Sequence, residues 1–151
     1  MTRPATILRI LPAALLLLGA CASTGGGAAA YALGGTSWRL ESLGGQPAIP
    51  TEGPNAARLF FEAGATPDSG RAFGGASCNR FNGPYTASGG TLRFGALVST
   101  RMACADERLN RQEVAFLGAL DATRTFRVAG DTLVLEGEAG AVARLVAIAG
   151  D

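Results

Sequence analysis

GGASCNRFNGPYTASGGTLRFGALVSTRMAC, residues 74–104, holds the densest turn signals in this chain of 151 residues and two of its three cysteines. Ser88-Gly89-Gly90 predicts a tight hairpin turn, because glycine supplies the positive φ that such turns require. Before it, residues 83–87 make a short strand carrying Tyr85. After it, residues 91–94 return with Leu92 and Phe94 on one face. Asn82-Gly83-Pro84 is read as a further turn, and residues 97–102 as another extended segment. The paired glycines Gly74-Gly75 predict a kink in the strand that begins at Arg71, since glycine inside a strand often marks a close backbone approach.

Outward from this stretch the pattern remains that of short strands. Thr36, Trp38 and Leu40 alternate with Ser37, Arg39 and Glu41, which reads as a half-buried strand. A second strand spans 57–62. A hairpin follows at 123–128 and 132–136, and a last strand at 141–148. One helix interrupts them, over 105–120, with Asp106 as its N-cap. Its apolar face carries Leu109, Phe116, Leu117 and Leu120, with Val114 at the edge. Gln112 points mainly away from that face, and Glu107, Glu113 and Asp121 are read as solvated. Many short strands with Gly-rich turns and a single helix imply an α+β fold of mostly antiparallel strands. The expected core is Trp38, Phe60, Tyr85, Leu92, Phe116, Leu117 and Leu120.

The motifs Cys78-Asn79-Arg80-Phe81, Tyr85-Thr86 and Ser99-Thr100-Arg101-Met102-Ala103-Cys104, with a Gly-Thr pair two residues before Trp38, resemble the META-domain, HslJ-like family of bacterial envelope lipoproteins. The similarity runs over about residues 33–147. Ser77 departs from it, standing where the family more often has glycine. The resemblance implies a small, incompletely closed barrel of short strands with one helix packed on it. It also implies an association with heat induction and novobiocin resistance.

The first 34 residues read as an address and a tether. Arg3 and Arg9 precede an apolar run ending at Ala20, the pattern of a secretory signal peptide over 1–20. The run is shorter than the roughly 20 apolar residues of a membrane-spanning helix. Leu18-Gly19-Ala20-Cys21 resembles the lipobox, which implies a lipid-modified Cys21 at the start of the mature chain. Ala22, in place of the Asp that signals inner-membrane retention, favours the periplasmic side of the outer membrane. Residues 21–34 form a Gly/Ala-rich tether with a reach of about 20 Å. The domain itself spans 35–148.

Lipidation of Cys21 leaves Cys78 and Cys104. Each ends a family-like motif, and both motifs flank one hairpin. In an oxidising compartment this favours a disulfide over two buried reduced thiols.

Chemistry is sparse. There is no histidine and no lysine, and all 13 basic residues are arginine. That removes the commonest general base, a Ser–Lys dyad and a Cys–His pair, so the chain is read as a non-enzyme without cofactor or metal site. Near-neutral, interspersed charge argues against nucleic acid. Asn79, Arg80, Thr100, Arg101 and Met102 form a candidate motif surface. Their alternative role is structural, with Asn79 and Thr100 satisfying turn backbone and Met102 filling the core. The expected partners are the membrane, through the N-terminal lipid, and an envelope protein. An apolar groove for a lipid or peptide, and inhibition of an envelope hydrolase through residues 44–55, are the other functional readings.

Overall fold

The computed structural model describes residues 32–148. The leader, Cys21 and most of the tether therefore lie outside the described residues. Ten strands and one helix follow in the order β1 (Thr36–Leu43), β2 (Gln46–Pro47), β3 (Arg58–Ala63), β4 (Ser69–Gly75), β5 (Arg80–Ser88), β6 (Thr91–Phe94), β7 (Val98–Ser99), α1 (Glu107–Ala122), β8 (Thr125–Ala129), β9 (Thr132–Gly137) and β10 (Gly140–Ala147).

Every strand pairing is antiparallel, and the main sheet runs β10-β9-β8-β6-β5-β4-β3-β1 with β10 returning to β1. The ring is therefore closed by eight strands, with β2 and β7 outside it. This corrects the expectation of an incompletely closed barrel. The closing seam aligns Trp38 with Ala147 and Leu40 with Leu145. It satisfies backbone groups on two strands that would otherwise be open edges. The thinnest point of the ring is β6–β8, where Thr91 opposes Thr125 and two flanking bonds, Leu92 N–H to Arg124 O and Phe126 N–H to Gly90 O, hold the strands together.

The interior follows the two-residue period of the strands. Trp38 and Leu40 of β1, Leu59 and Phe61 of β3, Phe81 and Tyr85 of β5, Leu92, Leu133, Leu135 and Leu145 all point inward and are buried. The Trp38 indole N–H donates to Thr36 Oγ1, which in turn donates to Leu33 O, so the largest core side chain leaves no polar group unmet. Phe61 meets Tyr85 edge-on at 4.9 Å between ring centroids. Burial raises the Tyr85 phenol above its ordinary value.

Phe60, expected in the core, has the opposite parity. It lies half-buried on the outer face and stacks on Phe73 at 5.2 Å. In the run Leu59-Phe60-Phe61 alternation alone does not say which pair faces in. Leu117 is half-buried at the rim of the core rather than inside it.

Helix α1 contacts β1, β6, β9 and β10, strands on opposite sides of the ring. It therefore covers one mouth of the barrel instead of lying on a sheet face. Asp106 caps it, accepting from Arg108 N–H. Phe116 is driven into the mouth and meets Phe81 edge-on at 6.0 Å. Val114 is 73% exposed.

Asn82-Gly83-Pro84, expected as a turn, lies within β5. The glycine serves a close approach: a Cβ on Gly83 would sit 2.8 Å from Ala96 O and from Leu97. Pro84 falls where the neighbour of β5 changes from β7 to β6. The extended segment expected over 97–102 is reduced to β7.

Candidate functional site

The two cysteine motifs meet at the mouth that α1 covers. Cys78, in the turn between β4 and β5, is disulfide-bonded to Cys104, just before the helix, with a Cα–Cα distance of 5.6 Å. Around this bridge the polar side chains interlock.

Asn79 is 3% exposed and its carboxamide is fully used. Its Oδ1 accepts from Met102 N–H at 2.7 Å and from Thr100 Oγ1 at 2.8 Å. Its Nδ2 donates to Met102 O at 2.9 Å and to Glu113 Oε1 at 2.7 Å. Two donors and two acceptors are all that one carboxamide offers. Thr100 Oγ1 also accepts from Arg80 N–H, and Thr100 N–H donates to Arg80 O. The segment after β7 is thus tied to β5 partly by side chains acting as rungs of a ladder.

Glu113, expected at a solvated position, is buried against the turn. Its Oε2 accepts from Cys78 N–H at 3.1 Å and Asn79 N–H at 2.7 Å. The turn leaves these two backbone donors without a strand partner, and a helix carboxylate supplies the acceptor. Buried polar groups require such partners. Its neighbour Gln112 does the same for another loop: Oε1 accepts from Ile49 N–H, Nε2 donates to Ile49 O, and Nε2 also reaches Ser77 Oγ. Ser77 has φ +114°, a conformation side chains rarely adopt. It is held there by that bond and by its own N–H to Asn55 O at 3.0 Å. Composition could not have revealed Gln112 and Glu113, because their partners lie 63 and about 35 residues away.

The chemistry of this cluster is structural. The Cys78 and Cys104 sulfurs and a Glu113 oxygen lie within 4.8 Å of one another. The sulfurs are bonded together, however, and both carboxylate oxygens are occupied by N–H donors, so neither a thiolate nor a free carboxylate is offered.

What the lock holds outward is different. Arg80 and Arg101 are exposed. Met102, expected as one alternative beneath the helix, is 55% exposed, because its backbone is what Asn79 grips; Val98 is 60% exposed. The motif residues therefore divide: Asn79 is buried and Thr100 bonds to it through its hydroxyl from an exposed position, while the Arg80, Arg101 and Met102 side chains, like Val98, are exposed. Beside Val98 runs a groove of about 420 Å³, with Arg71 and Phe73 on one wall, Arg80 and Asn82 along the floor, and Val98 and Thr100 on the other wall. A second, open depression of about 530 Å³ lies between α1 and residues 43–49, with Pro47, Ala48, Ile49 and Ala115 at its base and Arg108 and Arg111 at its border.

Among solved structures, one NMR structure of a protein is 24% identical with a TM-score of 0.58, covering 76% of this chain and 91% of its own. A second, of a protein from Burkholderia xenovorans, is 25% identical with a TM-score of 0.57, covering 78% of this chain and 85% of its own. No curated protein matches the sequence. The closed ring, the mouth-covering helix and the locked cysteine motifs coincide with a match of residues 31–149 to the META domain, and the chain belongs to the META-domain family.

Proposed function

We propose that the protein is a non-catalytic lipoprotein, anchored in the outer membrane through a lipid on Cys21, that supports envelope integrity and tolerance of heat and novobiocin through protein contacts. The observation that carries this reading is the contrast at residues 97–104. The disulfide and Asn79, itself held by Glu113, fix this segment, and the same segment turns Val98 and Met102 towards solvent. Exposed apolar side chains on a fixed backbone suit a partner, because little loop ordering remains to oppose association. The basic leader, the lipobox-like Leu18-Gly19-Ala20-Cys21 and the Gly/Ala-rich tether support the envelope location.

The test is twofold. Replacing Cys21 with Ser should release the protein from the outer membrane and lower survival under heat and novobiocin. A photo-crosslinking amino acid at Met102 should give a discrete cross-linked species in cells. Unchanged localisation and survival, with no cross-link, would remove the proposal.

The depression between α1 and residues 43–49 favours one second reading, a peptide or lipid carrier. Side chains fill the barrel interior itself. A lipid-sized adduct in native mass spectra, lost on Ala115→Glu, would support it.

A further inference from the structure

The groove beside the locked segment carries a charge arrangement that stability does not explain. Arg80 is exposed, and among the described residues no carboxylate lies within 4.0 Å of it. Arg71 lies over the Phe73 ring at 5.6 Å and reaches Glu62 at 4.0 Å, with both charged side chains more than half exposed. An exposed pair of that length contributes little. Glu62 stands directly across from Arg71 on β3, the strand on the side of β4 away from the groove.

The geometry is periodic. On β4, Arg71 and Phe73 share the outer face, because Ala72 between them is buried. On β5, Arg80 and Asn82 share it, because Phe81 is buried. Gly75 opposes Arg80 and Phe73 opposes Asn82, so Arg80 sits two residues beyond Phe73 along the groove. Two strand residues span about 7 Å. The order of backbone positions along the groove is therefore cation, apolar patch, cation, at steps of about 7 Å, with the Arg71 guanidinium leaning over Phe73. Phe73 and Val98 supply the patch from opposite walls.

An extended peptide has the same step, since its alternate side chains face one way. We propose that this groove receives an extended acidic segment of a protein partner, with an apolar residue between Phe73 and Val98 and carboxylates two residues to either side, on Arg80 and Arg71. Asn82 lies on the floor, where its carboxamide can meet the peptide backbone. This names the class of partner for the contact surface proposed above and rests on that reading. An anionic membrane surface fits less well: it is flat, whereas the apolar patch lies between two walls.

The test uses the full-length protein in dodecyl maltoside micelles and fluorescence anisotropy. The probes are a capped, labelled Glu-Thr-Phe-Thr-Glu peptide and its Gln-Thr-Phe-Thr-Gln counterpart. The acidic peptide should bind at least tenfold more tightly than the neutral one, and more weakly as salt rises. Arg80→Glu and Val98→Asp should each lower its affinity at least tenfold without changing the melting temperature by more than a degree or two. Absent binding, equal binding of the two peptides, or an unaffected Arg80→Glu protein overturns the proposal. So does binding to phosphatidylglycerol vesicles that is lost in Arg80→Glu when the peptide does not bind. If the peptide fails while Met102 still cross-links a partner in cells, only the groove assignment falls. If both fail, the contact reading falls with it.

Discussion

Exchanging the two interlocked side chains offers a sharp test of the lock. Asn79→Asp is isosteric, so it removes no packing. It replaces the Nδ2 donors with an oxygen that faces Met102 O and Glu113 Oε1. One neutral hydrogen bond, about 0.5–1.5 kcal/mol, and one to a charged group, about 1.5–3 kcal/mol, are lost. Juxtaposition of two carboxylates adds to this, for a total of about 3–5 kcal/mol. Glu113→Gln alone keeps an acceptor for Cys78 and Asn79 N–H but turns its amide against Asn79 Nδ2, donor against donor. The cost is about 2–3 kcal/mol on the same basis. In the double variant the polarity of the contact between positions 79 and 113 is exchanged and complementary again, while Met102 O still faces an oxygen. The new Gln carboxamide oxygen accepts from the two backbone N–H groups, and its amide donates to the new Asp. The two substitutions should therefore be non-additive, the double variant being at least about 2 kcal/mol more stable than the sum of the single losses predicts. Equilibrium unfolding in urea, with the disulfide oxidised and Trp38 fluorescence as the probe, measures all three. A domain of this size loses about 10–20 °C in Tm for the Asn79→Asp change. An Asn79→Asp loss below about 1 kcal/mol, or strict additivity, would refute the interlocked arrangement.

Three further outcomes follow from the same structure. Replacing Cys78 and Cys104 together by Ala opens a loop with a sequence separation of 26, and denaturant titration should show a loss of about 3–4 kcal/mol on the chain-entropy account. Gly74→Ala would place a Cβ 1.9 Å from Arg58 O in the facing strand, so β3 and β4 must separate; circular dichroism melting should show a loss of at least about 3 kcal/mol or no folded protein. Asp106 should titrate below its ordinary 3.8, first through its side-chain hydrogen bond from Arg108 and then through the Arg108 backbone N–H. A lowered folded-state value means that its contribution to stability is present above the ordinary carboxylate value and lost as pH falls through the lowered one. Carboxyl NMR titration should show this depression, and Arg108→Ala should reduce it.

Local rules were enough for the elements and not for their partners. The hairpin at Ser88-Gly89-Gly90 and the strand at 91–94 follow from glycine and alternation, and Asp106 marks the helix start through its capping chemistry. Phe60 and Phe61 could not be sorted by local pattern, because both parities put a phenylalanine inside. Gly83 carried a turn signal, yet its use is steric, set by Ala96 and Leu97 crossing it. Glu113 and Gln112 were hardest to read. A polar residue on a helix reads as solvated unless the unmet N–H groups that it will cover are known, and those belong to turns far away in sequence. The divided roles of Asn79 and Met102 were open for the same reason. Asn79 grips the Met102 backbone, so the Met102 side chain is left outside.

The seam between β1 and β10 also constrains the order in which the fold can be completed. Ile148 N–H bonds to Ser37 O, so the first strand waits for nearly the last residue of the domain before its second neighbour exists. Contacts so distant in sequence slow folding, because a long loop must close before the pairing contributes. During synthesis β1 therefore presents a row of unpaired backbone groups beside Trp38 and Leu40, an edge able to capture a strand of another chain. Loss of the last strand, by premature termination or proteolysis, would leave two such edges, on β1 and β9, turning a sealed cylinder into a template for aggregation.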